Sequence, residues 1–121
     1  MAVVQLNNIG GGANNSALKR RSYSDSLDIH QTVGSADVLD IRNVSAVAIK
    51  IPAAVTAINV FGCHTDDGTF TQIHDWEGTA AAITSVTAGD WYDLPACIFA
   101  FPYIRIKSTT ANGTATVVAK S

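Results

Sequence analysis

From Ser24 to the C-terminus β-branched residues are dense, turn-forming residues recur about every ten positions, and no window carries a sustained i, i+3, i+4, i+7 apolar stripe. No other feature limits the fold as strongly, and it predicts an all-β body. Leu27, Ile29 and Gln31 alternate against Asp28 and His30 as one strand; Val38 and Asp40 alternate against Leu39 and Ile41 as a second, closed by Asn43. Val47, Ile49 and Ile51 alternate against Ala46, Ala48 and Lys50 until Pro52 removes a ladder donor. Residues 57–64 and 69–76 flank Thr65-Asp66-Asp67-Gly68, which predicts a hairpin with Gly68 supplying a positive φ.

Further along, residues 81–86 read as a strand, Thr87-Ala88-Gly89-Asp90 as a tight turn, and residues 91–94 as a strand stopped by Pro95. In residues 102–108 Tyr103, Arg105 and Lys107 alternate outward against Ile104 and Ile106, and Ala111-Asn112-Gly113 predicts a closing hairpin with residues 114–120. About eight or nine short, evenly spaced strands favour an antiparallel β-sandwich of jelly-roll type over one open sheet.

At 121 residues and 12.7 kDa the chain fits one domain, and folding would bury about 12,000 Å², enough for a core without a disulfide staple. Only 15% of residues are charged, against about 25% in an ordinary soluble domain, so the surface is either small and neutral or covered by a partner. A net charge of −2 argues against nucleic-acid binding, and no apolar run approaches the roughly 18 residues of a membrane span. Met1-Ala2-Val3-Val4-Gln5 is no secretory signal, so synthesis is expected to end in the cytoplasm, with Cys63 and Cys97 as reduced thiols packed like small hydrophobes. The N-x-[ST] matches at Asn14, Asn43 and Asn112 are then chance.

Residues 1–22 read as a flexible or exchanged arm ahead of a sandwich domain at 23–121. The stretch NNIGGGANNS is too polar to fold alone, and it strands the apolar residues Val3, Val4, Leu6 and Ile9. Such a segment suits a strand added to a neighbour's sheet edge. Lys19, Arg20 and Arg21 form the basic cluster, a solvated segment or a contact for an acidic neighbour. Ser22 and Asp25 have capping-box spacing, but no helical apolar period follows, so no helix is expected there.

Catalytic and metal chemistry find little support. A metal would draw on His30, His64, His74, Cys63 and Cys97; pairing Thr65 with Phe70 leaves His64 and His74 about 10 Å apart on opposite faces of the hairpin. Asp66 and Asp67 lack a calcium-loop run, Gly10-Gly11-Gly12 lacks a phosphate-loop context, and no nucleophile signature is present. No cofactor is expected. Trp76, Trp91, Tyr92, Phe99, Phe101 and Tyr103 remain, either filling the core or meeting a partner. Phe99 and Phe101 bracket Ala100 just before Pro102, and in an extended segment both would point to one side, marking them as candidate anchors.

The segments IPAAVTA (residues 51–57), TDDGTF (65–70), SVTAG (85–89), Leu94-Pro95 and YIRIKS (103–108) together resemble a family of small phage and prophage proteins encoded among head genes. About half the chain takes part; the first forty residues do not, and Cys63-His64 departs from the small polar residues usual before that hairpin. The resemblance implies a virion structural protein, a cement or decoration protein on the outside of the icosahedral head with the major capsid protein as its partner. It carries over no catalytic residues. A reinforcing protein suits a closed homo-oligomer, a trimer at threefold junctions ahead of a dimer at twofold ones. The alternative is a carbohydrate-binding adhesin module of a phage tail or baseplate, because small sandwiches with exposed Trp also stack on sugars.

Overall fold

Burial alternates along the strands as the sequence pattern requires, and the alternation defines two sheets with one core between them. A computed structural model describes residues 3–5, 7–8 and 22–121. Its strands are β1 (Val3–Gln5), β2 (Asn7–Asn8), β3 (Ser22–Ile29), β4 (Val38–Asp40), β5 (Ala46–Lys50), β6 (Ile58–Cys63), β7 (Thr71–Gln72), β8 (Ala82–Ile83), β9 (Trp91–Asp93), β10 (Tyr103–Ser108) and β11 (Gly113–Lys120). Val33–Ser35 and Ala96–Ala100 are short 3-10 segments. The order in the first sheet is β1-β4-β10-β6-β7, with β8 also on β6; in the second it is β2-β3-β11-β5-β9. From β3 to β6, and again from β8 to β11, each strand lies in the other sheet from the one before it.

Leu27 and Ile29 of β3, Val47 and Ile49 of β5, and Ala115, Val117 and Ala119 of β11 form the inner face of the second sheet. Leu39, Ile58, Val60, Ile104 and Ile106 meet them from the first, and Val55, Ile73, Leu94 and Ile98 belong to the same buried cluster. Burying each Val, Leu or Ile contributes about 1.5–3 kcal/mol, which makes this contact the main source of stability.

The expected closing hairpin does not form. β10 pairs with β4 and β6, whereas β11 pairs with β3 over all eight of its residues and with β5 over five. A ladder on β3 from Gly113↔Ile29 to Lys120↔Ser22 satisfies more backbone groups than the six-residue β10 could. The four residues between β10 and β11 instead arch across the end of the sandwich. There the Ser108 hydroxyl accepts from the Thr110 and Ala111 N–H groups, and Asn112 Oδ1 accepts from the Gln31 N–H at 2.8 Å. The Thr110 hydroxyl donates to the Ala54 carbonyl at 2.8 Å, fixing a loop in which Ala54 holds a φ of 68°.

Arg105 is also placed differently from the expected outward position, being only 7% exposed. It does leave the central core, but a second apolar layer of Val38, Cys63 and Phe70, flanked by Val33, Phe61 and Tyr103, covers that outer face. Its guanidinium lies 4.5 Å over the Phe70 ring and donates to the Val33 carbonyl at 3.1 Å.

The hairpin at Thr65–Asp66–Asp67–Gly68 forms, in a different register. Phe61 faces Gln72 rather than His74, two residues nearer in the chain, and the ladder stops at Gly62↔Thr71, so the loop between paired residues is longer than expected. Gly68 is absent from the positive-φ residues; a Cβ there would fall 2.6 Å from both Cys63 Sγ and Thr65 Oγ1, so close approach explains the glycine. Gly89 does take a φ of 88° in the predicted turn, which Asp90 N–H closes onto the Thr87 carbonyl. The strands expected at 69–76 and 81–86 shrink to the two-residue β7 and β8 because the chain between them leaves the sheet.

Gly62 on β6 tests the packing. A Cβ there would lie 2.8 Å from Ile73 Cδ1 and from Phe101 Cγ. Gly62→Ala is expected to lower stability by about 1–3 kcal/mol through overpacking, read as a lower urea midpoint at unchanged slope.

Candidate functional site

The N-terminal strands close one side of the sandwich by joining both sheets. β1 adds to the first sheet in parallel with β4, in the register Val3↔Val38, Val4↔Leu39 and Gln5↔Asp40. β2 adds to the second, pairing Asn7 with Ser24 and Asn8 with Tyr23. Val4 packs against the core, while Val3 stays 42% exposed. Leu6, Ile9, Lys19, Arg20 and Arg21 lie outside the described residues.

Asp40 sits at this junction, between Gln5 of β1 and Tyr103 of β10. Arg42 clasps its carboxylate with two guanidinium nitrogens, Nε at 3.0 Å and Nη2 at 2.6 Å, and lies 5.3 Å over the Tyr103 ring. Burial alone would raise the Asp40 pKa; the hydrogen bonds and charge of Arg42 outweigh it and hold the carboxyl below its ordinary value.

Phe99 and Phe101 do not lie in the expected extended segment. Pro95 starts a 3-10 turn in which the Ile98 N–H donates to the Pro95 carbonyl and the Phe101 N–H to the Ile98 carbonyl. Ile98, fully buried, draws this turn inward, and both Phe rings lie half-buried on the core, Phe101 against Gly62. Coiling wins over extension because it buries Ile98.

What projects instead is Trp76, 92% exposed at the apex of an excursion from the edge of the first sheet. β7 ends opposite Phe61 and β8 resumes opposite Asn59, and residues 74–80 between them leave the sheet and return through a His74↔Ala80 bridge. The base is plugged by Gln72, whose Nε2 lies 2.9, 3.0 and 3.3 Å from the carbonyls of Val60, Ile73 and Ala81. At the tip the Asp75 carboxylate accepts from the Glu77 and Thr79 N–H groups, both at 2.9 Å. The Gly78 N–H donates to the Asp75 carbonyl at 3.0 Å, and Gly78 takes a φ of 85°. Asp at the first position and Gly at the fourth of Asp75-Trp76-Glu77-Gly78 is a turn signature, the signal that marks this excursion in the sequence.

Charge is divided along the chain in the same sense. All eight Lys and Arg lie within residues 1–50 or 105–121, whereas six of the ten acidic residues (Asp66, Asp67, Asp75, Glu77, Asp90 and Asp93) fall between them. The excursion therefore belongs to a segment with acidic charges alone.

The outer face of the second sheet carries a shallow depression of about 290 Å³ floored by Ala46, Ala48 and Val118 and edged by Lys120 and Asp93. Trp91, 48% exposed, opposes Lys50 on this sheet. Cys63 and Cys97 are free thiols; hydrogen bonds from Thr65 hold the buried Cys63 thiol below its ordinary pKa. Among the described residues no cluster of three His, Cys, Asp or Glu could hold a metal ion. No described helix is long and apolar enough to cross a membrane.

Comparison by sequence finds no matching protein family and no matching curated protein. Comparison by structure finds SPBc2 prophage-derived protein YomS, whose crystal structure superposes with a TM-score of 0.51 at 11% identity, covering 88% of this chain and 100% of that one. The likeness is one of fold, an all-β arrangement in two sheets.

Two measurements check this geometry. Asp75→Ala is expected to speed hydrogen exchange at the Glu77 and Thr79 amides about tenfold while the core amides keep their protection. Because the folded Asp40 pKa is depressed, its contribution to stability is present above the unfolded value and is lost as pH falls through the folded one. Arg42→Ala removes the side-chain hydrogen bonds and the charge but keeps the residue-42 N–H bond to Oδ1 at 3.0 Å, so a carboxyl-detected NMR titration should find the Asp40 pKa raised relative to the wild-type chain.

Proposed function

We propose that this chain is a phage virion structural protein, a decoration or cement protein that binds the outside of the head, contacts the major capsid protein and has no catalytic role. The observation that carries this reading is the wrapping of the strands. β3-β11-β5-β9 faces β4-β10-β6-β7, the chain from β3 on crossing between sheets at every step except from β6 through β7 to β8, and we read this order as a jelly roll, an architecture of viral capsid and lectin domains. Two further observations support it. The fold is shared with a prophage-derived protein, and the motifs between Ile51 and Ser108 resemble those of phage head proteins.

The mechanism proposed is reinforcement by added contacts. A cement protein works by bridging lattice subunits, so its affinity comes from several modest contacts acting together. The surface supplies candidates: the β1 and β2 edges, the small-residue face around Ala48 and Val118, and the Trp76 turn. β1 holds the chain's own β4 by only three register pairs, few enough that the same strand could serve a neighbouring copy. A closed trimer at threefold junctions remains the favoured assembly on symmetry, with a dimer second.

Electron cryomicroscopy of purified particles is the deciding measurement, with density for the sandwich expected on the outer capsid surface. Glycan-array binding that depends on Trp76 or Trp91, without affinity for heads, would instead establish the adhesin alternative. In sedimentation at micromolar concentration the expected mass is three times 12.7 kDa; a monomer that binds heads one copy at a time refutes the trimer. Deletion of residues 2–16 should reduce oligomer mass or head affinity, and no change in either would make the arm a linker.

A further inference from the structure

We propose that residues 74–80 are a docking finger that seats Trp76 in an apolar pocket rimmed by Lys or Arg on the capsid lattice. The assignment rests on the head-binding reading above and deepens it by naming the contact.

A Trp side chain can bury about 150–250 Å² in a partner, and here almost all of it faces solvent. Exposure alone would mean little on a floppy loop. This turn is held at its tip by the Asp75 carboxylate and at its base by Gln72, which places its amide against three carbonyls. The indole is therefore presented on a fixed support, so docking orders few additional groups, and rigid aromatic side chains filling a partner's pocket are the commonest source of interface energy.

Shape and charge select the occupant. Trp76 stands at a convex apex, which suits insertion into a concavity; a sugar stacked on one indole face would leave the other face wet. Glu77 follows it directly, Asp75 precedes it, and no Lys or Arg occurs between residues 51 and 104. Phosphates, anionic lipid headgroups and sulfated glycans would be repelled by such a segment, whereas a cationic rim on a protein would be attracted and guided.

The test uses the full chain and purified heads assembled without it. In a Trp91→Phe background with 7-azatryptophan incorporated and excited on the red side of ordinary tryptophan absorption, emission reports position 76 alone, and binding to heads should shift it to the blue. Trp76→Ala should weaken head binding about 30-fold or more, with Trp76→Phe recovering part of the loss. Glu77→Gln should weaken binding several-fold and flatten its dependence on salt. Thermal unfolding accompanies each variant; should Trp76→Ala fail to fold, Trp76→Phe, Glu77→Gln and the emission shift carry the test. Wild-type affinity in the folded variants, with unshifted emission, overturns the finger and leaves head binding intact. Failure of the wild-type chain to bind heads overturns the head-binding reading itself, and the capsid pocket with it.

Discussion

The apposition of β10 and β11 across the core is the constraint on which the rest of this molecule depends. Each is a central strand of its sheet, β10 between β4 and β6 and β11 between β3 and β5, and the two are joined by only four residues. That short arch holds the sheets together at one end, while Ile104 and Ile106 meet Ala115, Val117 and Ala119 inside. The small side chains Ala115 and Ala119 of β11 leave room for the larger Ile, Leu and Val of the opposite sheet. Once the two central strands are fixed, every other strand has one available edge, and the outer strands follow in order.

Edges are the weak point of any such sandwich, and each one here is treated differently. The β4 and β3 edges receive the N-terminal strands, and the polar pair Asp40–Arg42 lies beside the first of these additions. At the far side of the first sheet, β7 and β8 are two residues each and are separated by the excursion, so β6 never faces a long uninterrupted edge strand. Short edge strands and lateral excursions both discourage open-ended pairing between copies. The outer face of the second sheet, by contrast, holds a small-residue patch of Ala46, Ala48 and Val118 with Lys120 and Asp93 at its edge.

Strand positions were legible in the sequence wherever burial on one face enforced a period of two. Val47-Ile49-Ile51 and Leu27-Ile29 are the clearest cases, and Pro52 and Pro95 end their strands as ladder chemistry demands. Partners were not legible, because alternation says which face is inward but not which strand lies alongside; the assignment of β10 and β11 to one hairpin went wrong for that reason. Arg105 was misplaced because alternation assumes one buried face, and this sheet has two. The segment carrying Phe99 and Phe101 coils where alternation suggests extension, because coiling buries Ile98, a tertiary effect with no period to announce it. Val3 and Val4 were legible as strand formers, although their edge is the chain's own.

The Trp76 excursion joins these threads. An edge strand could have been interrupted by any polar bulge, and a lysine at the tip would have sufficed to block pairing. Instead, a hydrogen-bonded turn supports a tryptophan there, with Asp75 binding backbone N–H groups and Gly78 supplying the positive φ that closes the return. Fixing a large apolar side chain in water brings no folding gain, since its surface is left wet in the folded and unfolded chain alike. The hydrogen bonds that hold it also remove freedom from the loop. An arrangement neutral or unfavourable for folding, built from specific residues at specific positions, is best accounted for by a contact made outside the chain. That argument applies to Trp76 with more force than to Trp91, which is about half buried.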